Sequence, residues 1–204
     1  MDILLPAGGS GPGVVVGHAW WGLNSALRDY GARLAAAGFV VALPDLFDGR
    51  VARSIAEAVT LVSRDWDADA KLSRAVTTLS RHDAVRGGRV GTIGFSSSGW
   101  SLVGLASDRS LPIAGTVVYY ASRIPAAGHG PILAHLAEHD PFESDESMDE
   151  MAAALSRAGA PNAAHRYAGT MHWFAEADRS EYAAAAAELA FERTLGFLRS
   201  QLVA

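Results

Sequence analysis

The sequence predicts an α/β fold in which helices cover both faces of a mostly parallel β-sheet. Two observations carry this prediction. Short continuous runs of apolar and β-branched residues, such as VVVG at 14–17, are typical of strands that are buried on both faces. Segments with apolar residues at helical spacing alternate with these runs. A regular alternation of strand and helix indicates βαβ units, whose strands run parallel.

The elements follow in order along the chain. A glycine-rich turn at 7–13 precedes the first strand, 14–17, and Asn24 or Ser25 can cap the helix that comes next. Gly38 ends that helix. The further predicted elements are a strand at 39–45, helices at 51–62 and 65–83, a strand at 89–95, a helix at 97–107, strands at 112–121 and 131–140, a helix at 145–158, a strand at 163–169 and a terminal helix at 180–202.

The helix at 65–83 has the clearest periodicity. Leu72, Ala75, Val76 and Leu79 have the i, i+3, i+4, i+7 spacing of one helix face, and the arginine-glycine-glycine run at 86–88 ends the pattern. In a parallel sheet of this kind, ligands bind at the carboxyl ends of the strands. Residues with chemical function are therefore expected directly after strands.

The composition suits a single globular domain spanning residues 1–204. Half of the residues are hydrophobic and 19% are charged, which is enough apolar material for a substantial core. The formal net charge of -5 gives no positive field for nucleic acid. No apolar stretch is long enough for a membrane span, and MDILLPAGG at the start does not have the pattern of a signal peptide. We therefore expect a cytoplasmic protein; its oligomeric state is not predicted.

The chain contains no cysteine, so disulfides, thiolate metal sites and a cysteine nucleophile are excluded. The segment GFSSSG, between a predicted strand and a predicted helix, places Ser96 on a tight turn. Such a turn needs small residues two positions before and after the serine. Gly94 and Ser98 meet this need. Ser97 could be the nucleophile instead only if Phe95 fitted at the position two residues before it, where a phenylalanine is sterically worse than a small residue.

A serine nucleophile needs a base, and the base needs an acid that orients it. Asp140 ends the strand at 131–140, and His172 lies in the loop before the terminal helix, so the order Ser, Asp, His matches this architecture. Each residue has a structural alternative: Asp140 can form an Asx turn, and His172 can pack on Trp173. Glu138 is the fallback for the acid.

Backbone amides near the serine are expected to hold a substrate oxyanion. The helix that begins after Ser96 has free N–H groups, and the Ser97 amide is the first of these. A second amide is expected from Trp20, in the loop after the first strand. His18 lies in that loop and either contacts substrate or makes a structural hydrogen bond. The predicted substrate pocket consists of His18, Trp21, Tyr119 and Trp173, with Trp100 either buried or at the pocket.

The residues leave two other functions to consider. The first is metal-assisted hydrolysis through His135 and His139, which are four positions apart. They lie on a strand without nearby thiolates, so we expect no metal and no cofactor. A fold does not fix a function, so a non-catalytic protein that binds a ligand or a partner is the alternative to an enzyme.

Taken together, these segments resemble the dienelactone hydrolase family of α/β hydrolases over nearly the whole chain. The resemblance implies an α/β-hydrolase fold without a large lid, hydrolysis of a small ester or lactone, and a Ser96, His172, Asp140 triad with Trp20 and Ser97 amides. Ser96 stands where well-studied members have cysteine, and Ala19 stands where they have glutamate. Those members also have an arginine shortly after the histidine, whereas residues 173–176 here contain none. The segments that carry the resemblance are VVVGHAWWGLN (14–24), GFVVALPDLFDGR (38–50), RVGTIGFSSSGW (89–100), VVYYAS (117–122), PILAHLAEHDPF (131–142) and YAGTMHWF (167–174).

Overall fold

The computed structural model describes residues 1–65 and 67–202, and its backbone confirms the predicted alternation of strands and helices. Trp66, within the helix predicted at 65–83, and the last two residues of the predicted domain lie outside the described residues. The strands are β1 (Asp2–Leu4), β2 (Gly11–Gly17), β3 (Val40–Leu43), β4 (Val85–Phe95), β5 (Ile113–Tyr119), β6 (Ile132–His139) and β7 (Ala163–Met171). The helices are α1 (Ser25–Ala36), α2 (Ile55–Asp65), α3 (Ala68–Ser80), α4 (Ser97–Leu105), α5 (Asp145–Ala158) and α6 (Ala184–Leu202).

The seven strands form one sheet in the order β1-β3-β2-β4-β5-β6-β7. All neighbouring strands are parallel except β1, which pairs antiparallel with β3 at the edge. Helices α1 and α6 pack on one face, and α3, α4 and α5 pack on the other. Val14 and Val16 join the first layer, whereas Val15 joins the second. This burial on both faces explains why the strands are continuous apolar runs.

Three of the differences from the sequence prediction concern strands. Strand β1 was not predicted, since three half-exposed edge residues carry no hydrophobic pattern. The glycine-rich segment is not only a turn, because β2 begins at Gly11. A Cβ on Gly11 would lie 2.2 Å from the Gly38 carbonyl oxygen, so glycine here permits close backbone packing rather than a turn. Strand β4 likewise begins earlier than predicted, at Val85.

The cap of α1, which the sequence left open, is Asn24: its side chain accepts a hydrogen bond from the Leu27 amide at 3.1 Å. None of the described helices combines the length with the apolar composition that crossing a bilayer requires. Because β2 and β4 to β7 run parallel, the loops that follow them meet at one edge of the sheet, and the site lies there.

Candidate active site

Ser96 lies on the sharp turn between β4 and α4. Its φ of 52° and ψ of -115° place a non-glycine residue in the left-handed region, which costs about 1–3 kcal/mol and occurs most often at functional sites. Gly94 is required by this turn, because a Cβ there would lie 2.5 Å from the Gly99 nitrogen. The strained turn lifts the Ser96 side chain above the end of the sheet.

Ser98, the small residue two positions after Ser96, stabilises the turn through hydrogen bonds to its backbone. Its side chain is completely buried. The Phe95 amide donates to Ser98 Oγ at 3.0 Å, and Ser98 Oγ donates to the Phe95 carbonyl at 3.2 Å. A serine at this position therefore fits the turn and also bonds to the amide and the carbonyl of Phe95.

The structure brings Ser96, His172 and Asp140 into one hydrogen-bonded row. Ser96 Oγ and His172 Nε2 are 2.9 Å apart, and His172 Nδ1 lies 2.7 Å from Asp140 Oδ2. The His172 and Asp140 side chains are 2% and 0% exposed, so this pair is shielded from water. A carboxylate beside Nδ1 favours the tautomer that carries its proton there, which leaves Nε2 free to accept a proton from the serine.

Asp140 is held by the loop that follows β6. Its Oδ1 accepts hydrogen bonds from the backbone amides of Phe142 at 2.9 Å and Glu143 at 3.1 Å. The Asx turn that the sequence offered as a structural alternative is thus present together with the contact to His172. One carboxylate shapes the loop and also orients the imidazole.

Three aromatic rings enclose the His172 imidazole. The ring centroids of Tyr120 and Phe142 lie 4.9 Å from that of His172, and the Trp173 centroid lies at 5.1 Å. These contacts restrict rotation of the imidazole and keep Nε2 directed at Ser96. The predicted packing of His172 on Trp173 is therefore also real, and it supports the hydrogen-bonded row.

The two predicted oxyanion donors both lie beside Ser96. Ser97 is the first residue of α4, so its N–H has no acceptor inside the helix. Trp20 follows Ala19 in a turn that is closed by the Gly22 amide donating to the Ala19 carbonyl at 3.2 Å, and this bond does not use the Trp20 N–H. Both residues line the same cavity as Ser96.

This cavity has a volume of about 210 Å³ and is open to solvent. Sequence reasoning left Trp100 undecided and did not assign Phe142 or Glu143 to the pocket. Phe142 and Glu143 lie two and three residues after Asp140, so their position after a strand was the signal that could have found them. The residues that line the cavity are Trp20, Ser96, Ser97, Trp100, Phe142, Glu143 and His172.

Two of the four predicted pocket residues are structural, so the prediction was wrong for them. His18 is completely buried: its Nε2 accepts from the Leu46 amide at 3.0 Å, and Nδ1 donates to the Ala19 carbonyl at 2.6 Å. Burial lowers the pKa of His18 to about 4, so the ring is neutral. Tyr119 lies in the core, and its hydroxyl bonds to Tyr30 and Thr194.

Trp21 and Trp173 also do not line the cavity, which corrects the other half of the predicted pocket. They are 4% and 6% exposed, and their ring centroids lie 5.2 Å apart behind Trp20. Their role is to support the Trp20 wall. The side chains of β-strand ends and tight loops face either the core or the rim, and the sequence did not distinguish the two.

The remaining candidates do not line the cavity beside Ser96. His135 is buried between Tyr167 and Thr194, with hydrogen bonds of 2.8 and 3.0 Å, whereas His139 is exposed. Glu138 accepts a hydrogen bond from the Gly169 amide and does not approach His172. Within residues 1–65 and 67–202, no three histidine or acidic side chains form a metal-binding group.

A second carboxyl lies behind the histidine. Glu176 is 1% exposed, and its Oε1 accepts a hydrogen bond of 3.1 Å from the Tyr120 hydroxyl. Its Oε2 has no hydrogen-bond partner among the described residues. Burial raises the pKa of Glu176 from an ordinary value of 4.5 to about 8, so the folded protein holds a proton that the unfolded chain has released at neutral pH.

We expect Glu176→Gln to stabilise the protein at pH 8 much more than at pH 5. Between pH 4.5 and about 8, unfolding releases the Glu176 proton, so the contribution of this group is present below pH 4.5 and is lost as pH rises towards 8. At pH 8 the gain is on the order of 2 kcal/mol, or roughly 4–8 °C in Tm. Thermal unfolding at both pH values measures it.

Glu192→Gln is the matched control, because Glu192 is an exposed carboxylate on α6. Any cost of an unpaired buried amide in Glu176→Gln is the same at both pH values and cancels in the difference. Equal shifts of Tm at pH 5 and pH 8 would show that Glu176 is ionised in the folded protein.

Comparison with known proteins gives one family. A family model described as the dienelactone hydrolase family matches residues 3–202. The protein usf of Aquifex pyrophilus is 28% identical over 206 residues, covering 94% of this chain and 89% of that protein. A carboxymethylenebutenolidase of Pseudomonas putida is 27% identical over 210 residues, covering 95% and 87%.

Solved structures show the same architecture. The crystal structure of a dienelactone hydrolase-like promiscuous phosphotriesterase from metagenomic libraries matches with a TM-score of 0.81 at 23% identity, covering 98% of this chain and 91% of that chain. At this identity the likeness establishes the fold. The predicted α/β-hydrolase fold is confirmed.

Proposed function

The chain belongs to the dienelactone hydrolase family, and on that premise we propose that it cleaves small carboxylic esters or lactones by acyl transfer to Ser96. The single observation that carries this proposal is the hydrogen-bonded row from Ser96 Oγ through His172 to Asp140, with contacts of 2.9 and 2.7 Å. Carboxymethylenebutenolide, which the Pseudomonas putida relative's name says it acts on, is a lactone, and this supports the substrate class.

The reaction has two steps. As Ser96 Oγ attacks the carbonyl carbon, His172 Nε2 takes the hydroxyl proton, and Asp140 stabilises the imidazolium that results. The Ser97 and Trp20 amides hold the oxyanion, at about 3 kcal/mol for each donor. The tetrahedral intermediate expels the alcohol, which receives its proton from His172. Water then attacks the acyl-enzyme with the same histidine as base and releases the acid.

The dimensions of the site favour small substrates. A cavity of about 210 Å³ accommodates a short acyl chain or one small ring. Trp20, Trp100 and Phe142 form apolar walls beside the nucleophile, and these walls suit an uncharged acyl group. In a lactone, the leaving alcohol is part of the acyl chain, so it stays attached in the acyl-enzyme and in the hydroxy acid that water releases from Ser96.

A fluorophosphonate probe tests the nucleophile directly, because it forms a covalent bond only with an activated serine. We expect stoichiometric labelling, and digestion followed by mass spectrometry maps the label to the peptide that contains Ser96. Ser96→Ala is expected to remain unlabelled, and His172→Ala to be labelled at least about 100-fold more slowly.

Ser97→Ala is the matched control for the labelling. It removes the neighbouring hydroxyl and keeps the backbone amide, so it is expected to label at nearly the rate of the unmodified protein. Labelling on Ser97, or labelling that persists in Ser96→Ala, would contradict the assignment of Ser96 as nucleophile.

A further inference from the structure

One charged side chain faces the substrate cavity. Among the described residues that line it, Glu143 is the one with a carboxylate, and none is a lysine or arginine. Glu143 lies on the loop that carries Asp140, and its backbone amide donates a hydrogen bond to Asp140 Oδ1. The carboxylate is therefore fixed on the same loop as the acid of the triad, beside the reacting centre.

The position of this carboxylate is well defined. Its Oε2 accepts hydrogen bonds from the Ser122 amide at 3.1 Å and from the Ser122 hydroxyl. Ser122 lies just beyond β5, and its hydroxyl is 2.7 Å from Ser147 Oγ on α5. Two neutral donors bind one oxygen, and no cation is paired with this carboxylate among the described residues.

Aromatic rings form the other walls around Glu143. Trp20 and Phe142 meet edge to face with centroids 5.3 Å apart, and Trp100, which is half exposed, also lines the cavity. The negative faces of aromatic rings attract cations, most strongly for tryptophan. Trp100 already shows this, since the Arg123 guanidinium lies 4.0 Å from its ring centroid without lining the cavity.

A carboxylate within aromatic walls is the arrangement that recognises an ammonium group. We propose that Glu143 gives this site its charge selectivity: esters with a cationic group close to the scissile carbonyl, such as those of ammonium alcohols, are favoured, and esters with a carboxylate there are disfavoured. This inference rests on the hydrolase function proposed above. The physical reason is that a carboxylate in a partly desolvated pocket attracts a cation and repels an anion more strongly than it does in water.

Three thioesters with the same two-carbon spacer test the selectivity: acetylthiocholine, its uncharged isostere 3,3-dimethylbutyl thioacetate, and the smaller anion 3-(acetylthio)propanoate. The thiol that is released is measured by its reaction with a disulfide dye. For the unmodified enzyme we expect kcat/KM for the cation to exceed that for the neutral isostere by about 10-fold, and the anion to fall below it by about 10-fold.

Glu143→Gln keeps the acceptor for Ser122 and removes the charge. Both ratios are expected to move towards one, by about 10-fold each. Any effect of the substitution on His172 acts on all three substrates and cancels in the ratios. Glu138→Gln, which removes a carboxylate outside the cavity, is the matched control and is expected to leave both ratios unchanged.

Salt provides a second measurement that needs no variant. Raising the ionic strength from about 0.02 to about 0.5 M shortens the screening length several-fold, so the preference for the cation in the unmodified enzyme should shrink. The inference would be overturned, and the hydrolase function would stand, if the unmodified enzyme hydrolysed the three thioesters with equal kcat/KM. The same conclusion would follow if Glu143→Gln left the ratios of kcat/KM between charged and neutral thioesters unchanged. Absence of turnover for the neutral thioester, together with absence of labelling at Ser96, would overturn both.

Discussion

Ser96→Ala is expected to lower kcat for a small ester such as p-nitrophenyl acetate by on the order of 10⁴–10⁶-fold. The hydroxyl that His172 Nε2 activates at 2.9 Å is the atom that bonds to the acyl group. Without it, only water activated by His172 and polarisation by the Ser97 and Trp20 amides remain. Initial rates and burst kinetics with the chromogenic ester measure the loss.

Ser97→Ala separates this effect from a general disturbance of the turn. Ser97 Oγ is buried and has no hydrogen-bond partner among the described residues, so its removal is expected to change kcat by less than about 10-fold. Thermal unfolding of both variants checks that the turn is intact. Full activity in Ser96→Ala would contradict the covalent mechanism, and a folded protein without any esterase activity would favour the alternative of a non-catalytic binding protein.

Asp140→Asn is expected to reduce kcat by about 10⁴-fold, because an amide beside Nδ1 favours the imidazole tautomer that cannot accept the serine proton. The His172 Nδ1 to Asp140 Oδ2 distance of 2.7 Å and the complete burial of the carboxylate make this contact decisive. The pH dependence of kcat separates this loss from a change in substrate binding.

Two controls test whether the loss of activity is specific to the Asp140 carboxylate. Glu138→Gln removes the other acid at the end of β6, which contacts the Gly169 amide instead of His172, and is expected to retain activity within about 3-fold. Asparagine keeps an oxygen for the Phe142 and Glu143 amides, so Asp140→Asn should unfold at nearly the original temperature. Retained activity in Asp140→Asn with loss in Glu138→Gln would transfer the role to Glu138.

The predictability of this fold follows from the burial of its sheet. Residues 14–17 and 90–95 are buried because helices cover both faces of the sheet, and the spacing of Leu72 to Leu79 matches the face that α3 buries. Strand β1 had no such signal. It is short, lies at the edge and is defined by its pairing with β3, which is a contact between distant parts of the chain.

The site divides in the same way. The sequence by itself determined the order of the proposed catalytic residues and the edge where they meet, because Ser96, Asp140 and His172 each follow a strand and the carboxyl ends of parallel strands lie at one edge. Only the tertiary structure decided which neighbours face the cavity. His18 and Tyr119 turn into the core, where Leu46 and Thr194 satisfy them, whereas Glu143 turns to the cavity. The direction of a side chain depends on partners that are distant in sequence, and local residue patterns do not record those partners.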